Sequence, residues 1–260
     1  MIRGFLEAIG VYSLYHRWLI GTIKQGPIPK HIGVITDGNR RWARNRAKKG
    51  WEGHWEGART LESFLDWCFE LGVESVTIFS FSTENFNREK NELDELFKVF
   101  QDNLKKLLDA PRIHERKVRV TALGRVETLP ENIQKLISDV EEATKDYDDY
   151  YLNIAIAYGG RAEILDATRS IAEKVKNNMI EIEEIDESVI EEHLYTAHLP
   201  HPDPDLIIRT SGEARLSNFL VWQSVYSELF LVDVYWPSFR KIDLMRAIRG
   251  YQRRHRRFGK

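Results

Sequence analysis

The sequence predicts an α/β fold, a single domain built on a central, mostly parallel six-stranded sheet flanked by helices. Short apolar runs alternate with longer segments of helical period along the whole chain, the pattern of strands joined by crossover helices. With 260 residues the chain is long enough for one large domain of this kind. No repeat, low-complexity tract or flexible linker divides it.

The elements follow in order. Phe5, Ile9, Tyr12, Leu19 and Ile23 recur at helical spacing, so residues 1–26 read as an amphipathic helical extension. Glu7, His16 and Arg17 make it a poor membrane span. Two readings of it stand equally. It packs on the protein's own body or a second subunit, or it lies in a membrane interface aided by Arg3, Arg17, Trp18 and Lys24. Gly26-Pro27-Ile28-Pro29 ends it and opens the main domain, 27–260. Ile32 to Ile35 is a short buried strand. His54 to Leu71 is helical, stopped by Gly72. Val73 to Phe81 is a second strand and Asn91 to Leu108 a helix. Val118 to Leu123 is a third strand, and Pro130 opens the next helix. Tyr151 to Ala157 is a fourth strand, followed by helices over 163–175 and 188–194. Asp205 to Arg209 and Leu229 to Val232 supply the last strands, and a basic helix from Asp243 to Arg256 closes the chain.

Composition narrows the function. At 42% hydrophobic and 30% charged, with net charge −2, this is ordinary globular material and no nucleic-acid coat. The balance hides a lopsided tail: Arg240 to Lys260 holds nine Lys or Arg against one acid, Asp243. The single cysteine, Cys68, excludes an intramolecular disulfide and reads as a buried structural thiol on a helical stripe. Neither a Gly-x-Gly-x-x-Gly after the first strand nor a Walker-type loop is present, which disfavours nucleotide cofactors.

Four polar clusters follow strand ends: Asp37 to Trp42, Ser82 to Arg88, Tyr158 to Arg161 and Arg209 to Ser217. In a parallel sheet these ends share one edge, where ligands bind. In Asp37-Gly38-Asn39-Arg40-Arg41-Trp42 a carboxylate stands among guanidiniums. That mixture suits an anion that travels with a metal ion, and backbone N–H groups opening a helix also favour anions. Arg209 and Arg215 can form bidentate bonds to phosphate. The Pro202-Asp203-Pro204-Asp205 run stiffens the approach to their loop. The expectation is a metal–diphosphate site at the sheet edge.

These clusters, with Gly53-His54, Asn153-Ile-Ala-x-Ala-Tyr-Gly-Gly-Arg161 and Arg256-Arg257-Phe-Gly259, stand in an order that resembles the cis-prenyltransferases, the undecaprenyl and dehydrodolichyl diphosphate synthase family. The resemblance runs from about His31 to Gly259 and is closest to an archaeal or eukaryotic branch. It implies a fold with an apolar tunnel and an enzyme that adds isopentenyl diphosphate repeatedly to an allylic diphosphate, geranylgeranyl or farnesyl, with cis double bonds. The product would be a long, undecaprenyl-like diphosphate used as a sugar carrier.

The resemblance also implies roles. Asp37 is the essential acid, engaging Mg²⁺ with Glu228, and Asn85 stands at the position assigned to proton removal. Gly38, Asn39, Arg40, Arg41, Trp42 and His54 cradle the allylic diphosphate. Arg209, Arg215, Leu216 and Ser217 hold isopentenyl diphosphate, while Ser82, Thr83, Glu84, Phe86 and Arg88 line the same site. A homodimer is implied, with Arg256, Arg257 and Gly259 near a partner's diphosphates. Peripheral contact with the cytoplasmic membrane face is a further expectation, and the rival reading is a catalytically silent, membrane-anchoring subunit. Three positions depart from the pattern. Phe86 replaces a frequent Trp, Ala214 a frequent His, and Gly50 a phosphate-binding Arg for which Lys48 or Lys49 are the nearest substitutes.

Overall fold

Strand β1 (His31–Ile35) is buried at all five residues, because it lies inside the sheet with helices on both faces. The computed structural model describes residues 11–254. Around β1 stand α1 (Val11–Ile23), α2 (Asn39–Arg44), α3 (Gly50–Leu71), β2 (Ser75–Ser82), α4 (Lys90–Asp109), α5 (Pro111–Glu115), β3 (Val118–Leu123), α6 (Glu131–Thr144), β4 (Tyr150–Tyr158), α7 (Gly160–Lys176), α8 (Glu187–Glu191), β5 (Leu206–Thr210), β6 (Glu228–Val232) and α9 (Lys241–Arg253). The six strands run in the order β3-β4-β2-β1-β5-β6. All five pairings are parallel, so the expected sheet is present and wholly parallel.

Alternation along the strands builds two cores. Val34, Ile78, Leu152 and Ile208 join the larger one, with Phe64, Leu104, Ile137 and Met245 from the helices. Ile35, Ala155 and Ile207 face the other way, onto Tyr158 and Phe219. Cys68 is fully buried and its thiol is pushed well up by that burial, as a structural residue should be. Helix α3 begins at Gly50, earlier than the apolar period suggests, where the Glu52 carboxylate accepts from the Lys49 N–H at 2.8 Å. Gly53 lets this helix approach α2, since a Cβ there would stand 2.1 Å from the Asn39 carbonyl oxygen.

The described part of the N-terminal extension packs on the body of the protein. Leu19 and Ile23 are fully buried in the larger core. The Gln252 amide on α9 donates to the Ile23 carbonyl at 2.9 Å. The Arg249 guanidinium lies 4.4 Å over the Trp18 ring. Arg3, Phe5, Glu7 and Ile9 lie outside the described residues. Among those described, no helix is long and apolar enough to cross a membrane.

One polar thread crosses the smaller-core face. His31 Nε2 and Thr77 Oγ1 are 2.7 Å apart, the Asn153 amide donates to the same hydroxyl at 3.1 Å, and Asn153 Oδ1 lies 3.0 Å from His198 Nε2. Burial lowers His31 to about 4, against an ordinary 6.5, so the ring is neutral in the native state. The unfolded chain therefore binds more protons between these values, and stability rises with pH across that window. The contribution is complete above about pH 6.5 and is lost as the pH falls toward 4. Urea unfolding should show a loss of about 3 kcal/mol over that interval, and His31→Asn should remove that part of the pH dependence.

Candidate active site

All four polar clusters stand at the carboxyl edge of the sheet, and three of them line one pocket. Gly38, three residues past the end of β1, takes φ +100°, and a Cβ there would meet the Tyr235 ring at 2.7 Å. The glycine thus lets the chain turn from β1 into α2. The Asp37 carbonyl is held by the Thr210 hydroxyl at 2.7 Å and the Trp236 N–H at 3.0 Å. Its carboxylate accepts from Arg209 at 2.9 Å and from Arg41 at 3.3 Å. Arg41 also donates to Ser211 at 2.6 Å and Glu213 at 3.0 Å. Arg215 donates to the other Glu213 oxygen at 2.6 Å. Arg209 is buried, donating to Ser217 Oγ at 2.7 Å and to the Arg215 carbonyl.

Electrostatics keep these carboxylates ionised. Burial works to raise the Asp37 carboxyl, but the Arg209 hydrogen bond and charge, with Arg41, outweigh it and hold it below the usual value. Glu213 is lowered by the charge of Arg215 and the bond from Arg41. On the far side of the pocket, Glu92 faces His54, Arg88 and Arg40, which hold its carboxyl low. Burial lowers the His54 imidazole, so it is neutral at pH 7.

The 82–88 segment is a short 3-10 turn, Thr83–Asn87, after β2. Asn85 Oδ1 accepts the Ser82 N–H at 3.2 Å. Thr83 donates to Glu84 at 3.2 Å, and the other Glu84 oxygen accepts from Asn218 at 3.1 Å. Phe86 stands edge-on to Phe81 with ring centroids 4.9 Å apart. Asp37, Asn39, His54, Ser82, Glu84, Asn85, Arg88, Arg209, Ser217 and Asn218 line one polar pocket.

That pocket opens into an apolar cavity of about 1180 Å³, its open space included. Thr36, Asn39, His54, Ser80 and Leu96 line both. The cavity runs between the sheet and α3, α4 and α6, along Leu61, Leu65, Phe100, Leu104, Ile137, Val140, Leu152 and Ile154. Glu62 and Arg112, also in its lining, form an ion pair at 3.2 Å. Its place matches the apolar tunnel that the resemblance implies.

Several expected positions fall elsewhere. Trp42 is buried and donates to Ser238 at 2.9 Å, with Arg46 stacked 4.2 Å over its ring. It packs α2 onto the 236–238 turn and is absent from both pockets. Glu228 is the first residue of β6, in register with Leu206 at the start of β5. A parallel sheet puts it at the amino edge, opposite Asp37, and it pairs there with Arg254 at 2.7 Å. The two acids of one chain therefore cannot share an ion. Tyr158 is buried on Glu163, and the Arg161 N–H donates to Asn218 at 2.9 Å, so the fourth cluster braces the 217–220 loop. Leu216 packs against the smaller core. Arg40 is absent from both linings, and its Nε lies 3.5 Å from Glu92. Lys48 and Lys49 lie over the Trp42 and Trp51 rings, at 5.5 and 4.9 Å. Arg256, Arg257 and Gly259 lie outside the described residues.

Sequence reasoning overlooked Glu92 and Asn218. Glu92 follows Arg88 by four residues, the spacing of a helical ion pair. Asn218 directly follows the Arg209 to Ser217 cluster, and its amide joins the 84 and 161 segments.

Fold and site define a parallel α/β protein with an arginine-bearing polar pocket at the sheet edge and an apolar bore behind it. The family model described as "Putative undecaprenyl diphosphate synthase" matches residues 35–259. The chain belongs to this prenyltransferase family. It is 54% identical over 250 residues to a tritrans,polycis-undecaprenyl-diphosphate synthase (geranylgeranyl-diphosphate specific) of Methanopyrus kandleri, covering 96% of this chain and 92% of that one. The enzyme of the same name from Methanocaldococcus jannaschii is 52% identical over 256 residues, covering 98% and 91%. Among solved structures, lavandulyl diphosphate synthase from Lavandula x intermedia in complex with dimethylallyl diphosphate superposes with TM-score 0.86 at 35% identity, covering 90% of this chain and 99% of that one.

The Arg209–Asp37 pair carries a stability consequence. Asp37→Ala leaves a buried guanidinium without its anion, and should cost about 1–3 kcal/mol in denaturant unfolding. Adding Arg209→Met should recover part of that loss. A double variant as unstable as the sum of the single ones would show that the two side chains do not couple.

Proposed function

We propose that the chain is a homodimeric, Mg²⁺-dependent cis-prenyltransferase that extends geranylgeranyl diphosphate with isopentenyl diphosphate to an undecaprenyl-like diphosphate serving as a sugar-carrier lipid. One observation carries the reading: the polar pocket and the apolar bore share Thr36, Asn39, His54, Ser80 and Leu96. A diphosphate held by arginines thus has a dry channel behind it for its hydrocarbon. Each added isoprene unit buries further CH₂ groups at roughly 0.8 kcal/mol apiece. The printed specificity of the archaeal relatives favours the geranylgeranyl starter.

In this reading His54, Arg40 and Arg88, with Gly38, Asn39 and Arg41, take the allylic diphosphate. Arg209, Arg215 and Ser217 take isopentenyl diphosphate. The two substrates then meet across Asp37. A carbon–carbon bond forms as the allylic C–O bond breaks, the diphosphate leaves with the electron pair, and a proton departs from the isopentenyl unit. Arginines aimed at the leaving group stabilise its growing charge. Asn85 is too weak a base to take the proton, and its Oδ1 is already engaged by the Ser82 N–H. It positions the isopentenyl unit so that a diphosphate oxygen accepts the proton.

Among the described residues no group of three His, Cys, Asp or Glu gathers to hold a metal. Asp37 alone, half-buried between Arg209 and Arg41, fits Mg²⁺ held by one carboxylate, substrate oxygens and water. Bound there, the ion would neutralise charge on the departing diphosphate. The silent-subunit alternative fits poorly with Asp37, Asn85, His54 and Arg209 lining one pocket. Exposed Val221 and Val225 before β6 and Leu231 on that edge strand support a second copy docking there.

The purified protein alone, given Mg²⁺ and labelled isopentenyl diphosphate, should form butanol-extractable product, faster with the geranylgeranyl than with the farnesyl starter. EDTA should stop it, and Asp37→Ala should lower kcat at least about 100-fold. No product from any starter would favour the silent subunit. Light scattering should give twice the monomer mass, and Val225→Asp should lower it.

A further inference from the structure

Glu92 stands in the first turn of α4 and presents one oxygen, Oε1, to cationic or ionisable groups from three other segments. Arg88 donates to it at 2.9 Å, Arg40 Nε lies at 3.5 Å and His54 Nε2 at 3.8 Å. The last distance is beyond a hydrogen bond, and His54 Nε2 is a buried nitrogen without a partner. His54 lines both the polar pocket and the mouth of the bore. A purely structural ion pair has no need of an unfilled buried nitrogen beside it. Two guanidiniums and an unsatisfied imidazole around one carboxylate make an anion cradle closed on an internal anion.

The chemistry of repeated addition gives that anion a task. Every condensation leaves inorganic pyrophosphate where the allylic diphosphate had been, and the cradle must be emptied before the lengthened diphosphate can enter. Guanidiniums that bind a polyanion well also release it slowly. A tethered carboxylate, ionised at neutral pH, offers them a replacement partner as it leaves. We propose that Glu92 is the internal counter-anion that expels pyrophosphate from the allylic cradle between additions. The inference rests on the assignment of Arg40, Arg88 and His54 to the allylic diphosphate. Glu92 acts through these groups and is thus a positioning residue.

Calorimetric titration of inorganic pyrophosphate in magnesium buffer separates the possibilities, with the full chain as wild type, Glu92→Gln and Glu92→Asp. Removing one negative charge a few ångströms from the ligand should tighten pyrophosphate binding by about tenfold in Glu92→Gln. Steady-state kcat should fall with product release, while the single-turnover rate of the first condensation stays unchanged. Glu92→Asp should restore both quantities toward wild type. Glu92→Gln that binds pyrophosphate equally or more weakly, with a wild-type melting temperature, overturns the inference. A melting temperature lowered in Glu92→Gln but not in Glu92→Asp transfers the decision to the Asp variant, whose wild-type affinity and kcat would support the role and whose weakened binding would overturn it. Wild-type protein that binds no pyrophosphate overturns the cradle assignment itself, an outcome distinct from the others.

Discussion

The pairing of Arg209 with Asp37 is the constraint on which the rest of the site depends. Arg209 is the fourth residue of β5, in register with Ile35 of β1. Arg209 is 3% exposed, and a buried cation without an anion is costly. The anion comes from the turn after β1, whose backbone is pinned by Thr210 and Trp236. The same guanidinium orders Ser217 and the Arg215 carbonyl. One hydrogen-bonded hub thus fixes where two strand ends and a long loop stand relative to one another, before any ligand arrives.

Strand β2 divides the site into head and tail. Its pairing with β4 shifts register between Phe79 and Phe81, so Ser80 is an extra residue. Such bulges bend a strand and re-aim its side chains. Ser80 lines both cavities, at the point where polar lining gives way to apolar. Ile78 lines the bore, whereas Phe79, Phe81, Ser82 and Asn85 line the polar pocket. Charge sits at the sheet edge and grease lies along its face, an arrangement that a wholly parallel sheet covered by helices provides.

Much of this was legible in the chain. Strands such as 118–123 follow from β-branched residues between polar breaks, and the stop at Gly72 from its left-handed backbone, φ +84°. Convergence of the Asp37, Ser82 and Arg209 clusters follows from parallel topology alone. What was not legible depended on direction. Trp42 sits in a motif of ligand-type residues, yet one helical step turns its indole away, toward Ser238. Glu228 belongs to a strand, and which end of the strand it occupies decides whether it can meet Asp37. Glu92 looked like one more charge on an amphipathic helix, because its partners are 4, 38 and 52 residues away in sequence and only the packing of α2, α3 and α4 brings them together. The equal readings of the N-terminal segment had the same cause. Helical period shows that an apolar stripe exists, whereas the α9 surface that covers Leu19 and Ile23 lies more than 200 residues away.

That clasp between α1 and α9 bears on how the molecule is made. During synthesis α1 leaves the ribosome more than 200 residues before the helix against which it rests. Central strand β1 waits similarly, since one of its two neighbours, β5, emerges some 170 residues later. Leu19, Ile23 and one flank of β1 are thus bare through most of translation, when an uncovered strand edge invites association with other chains. These surfaces stay uncovered until α9 is made, and this domain can close only then.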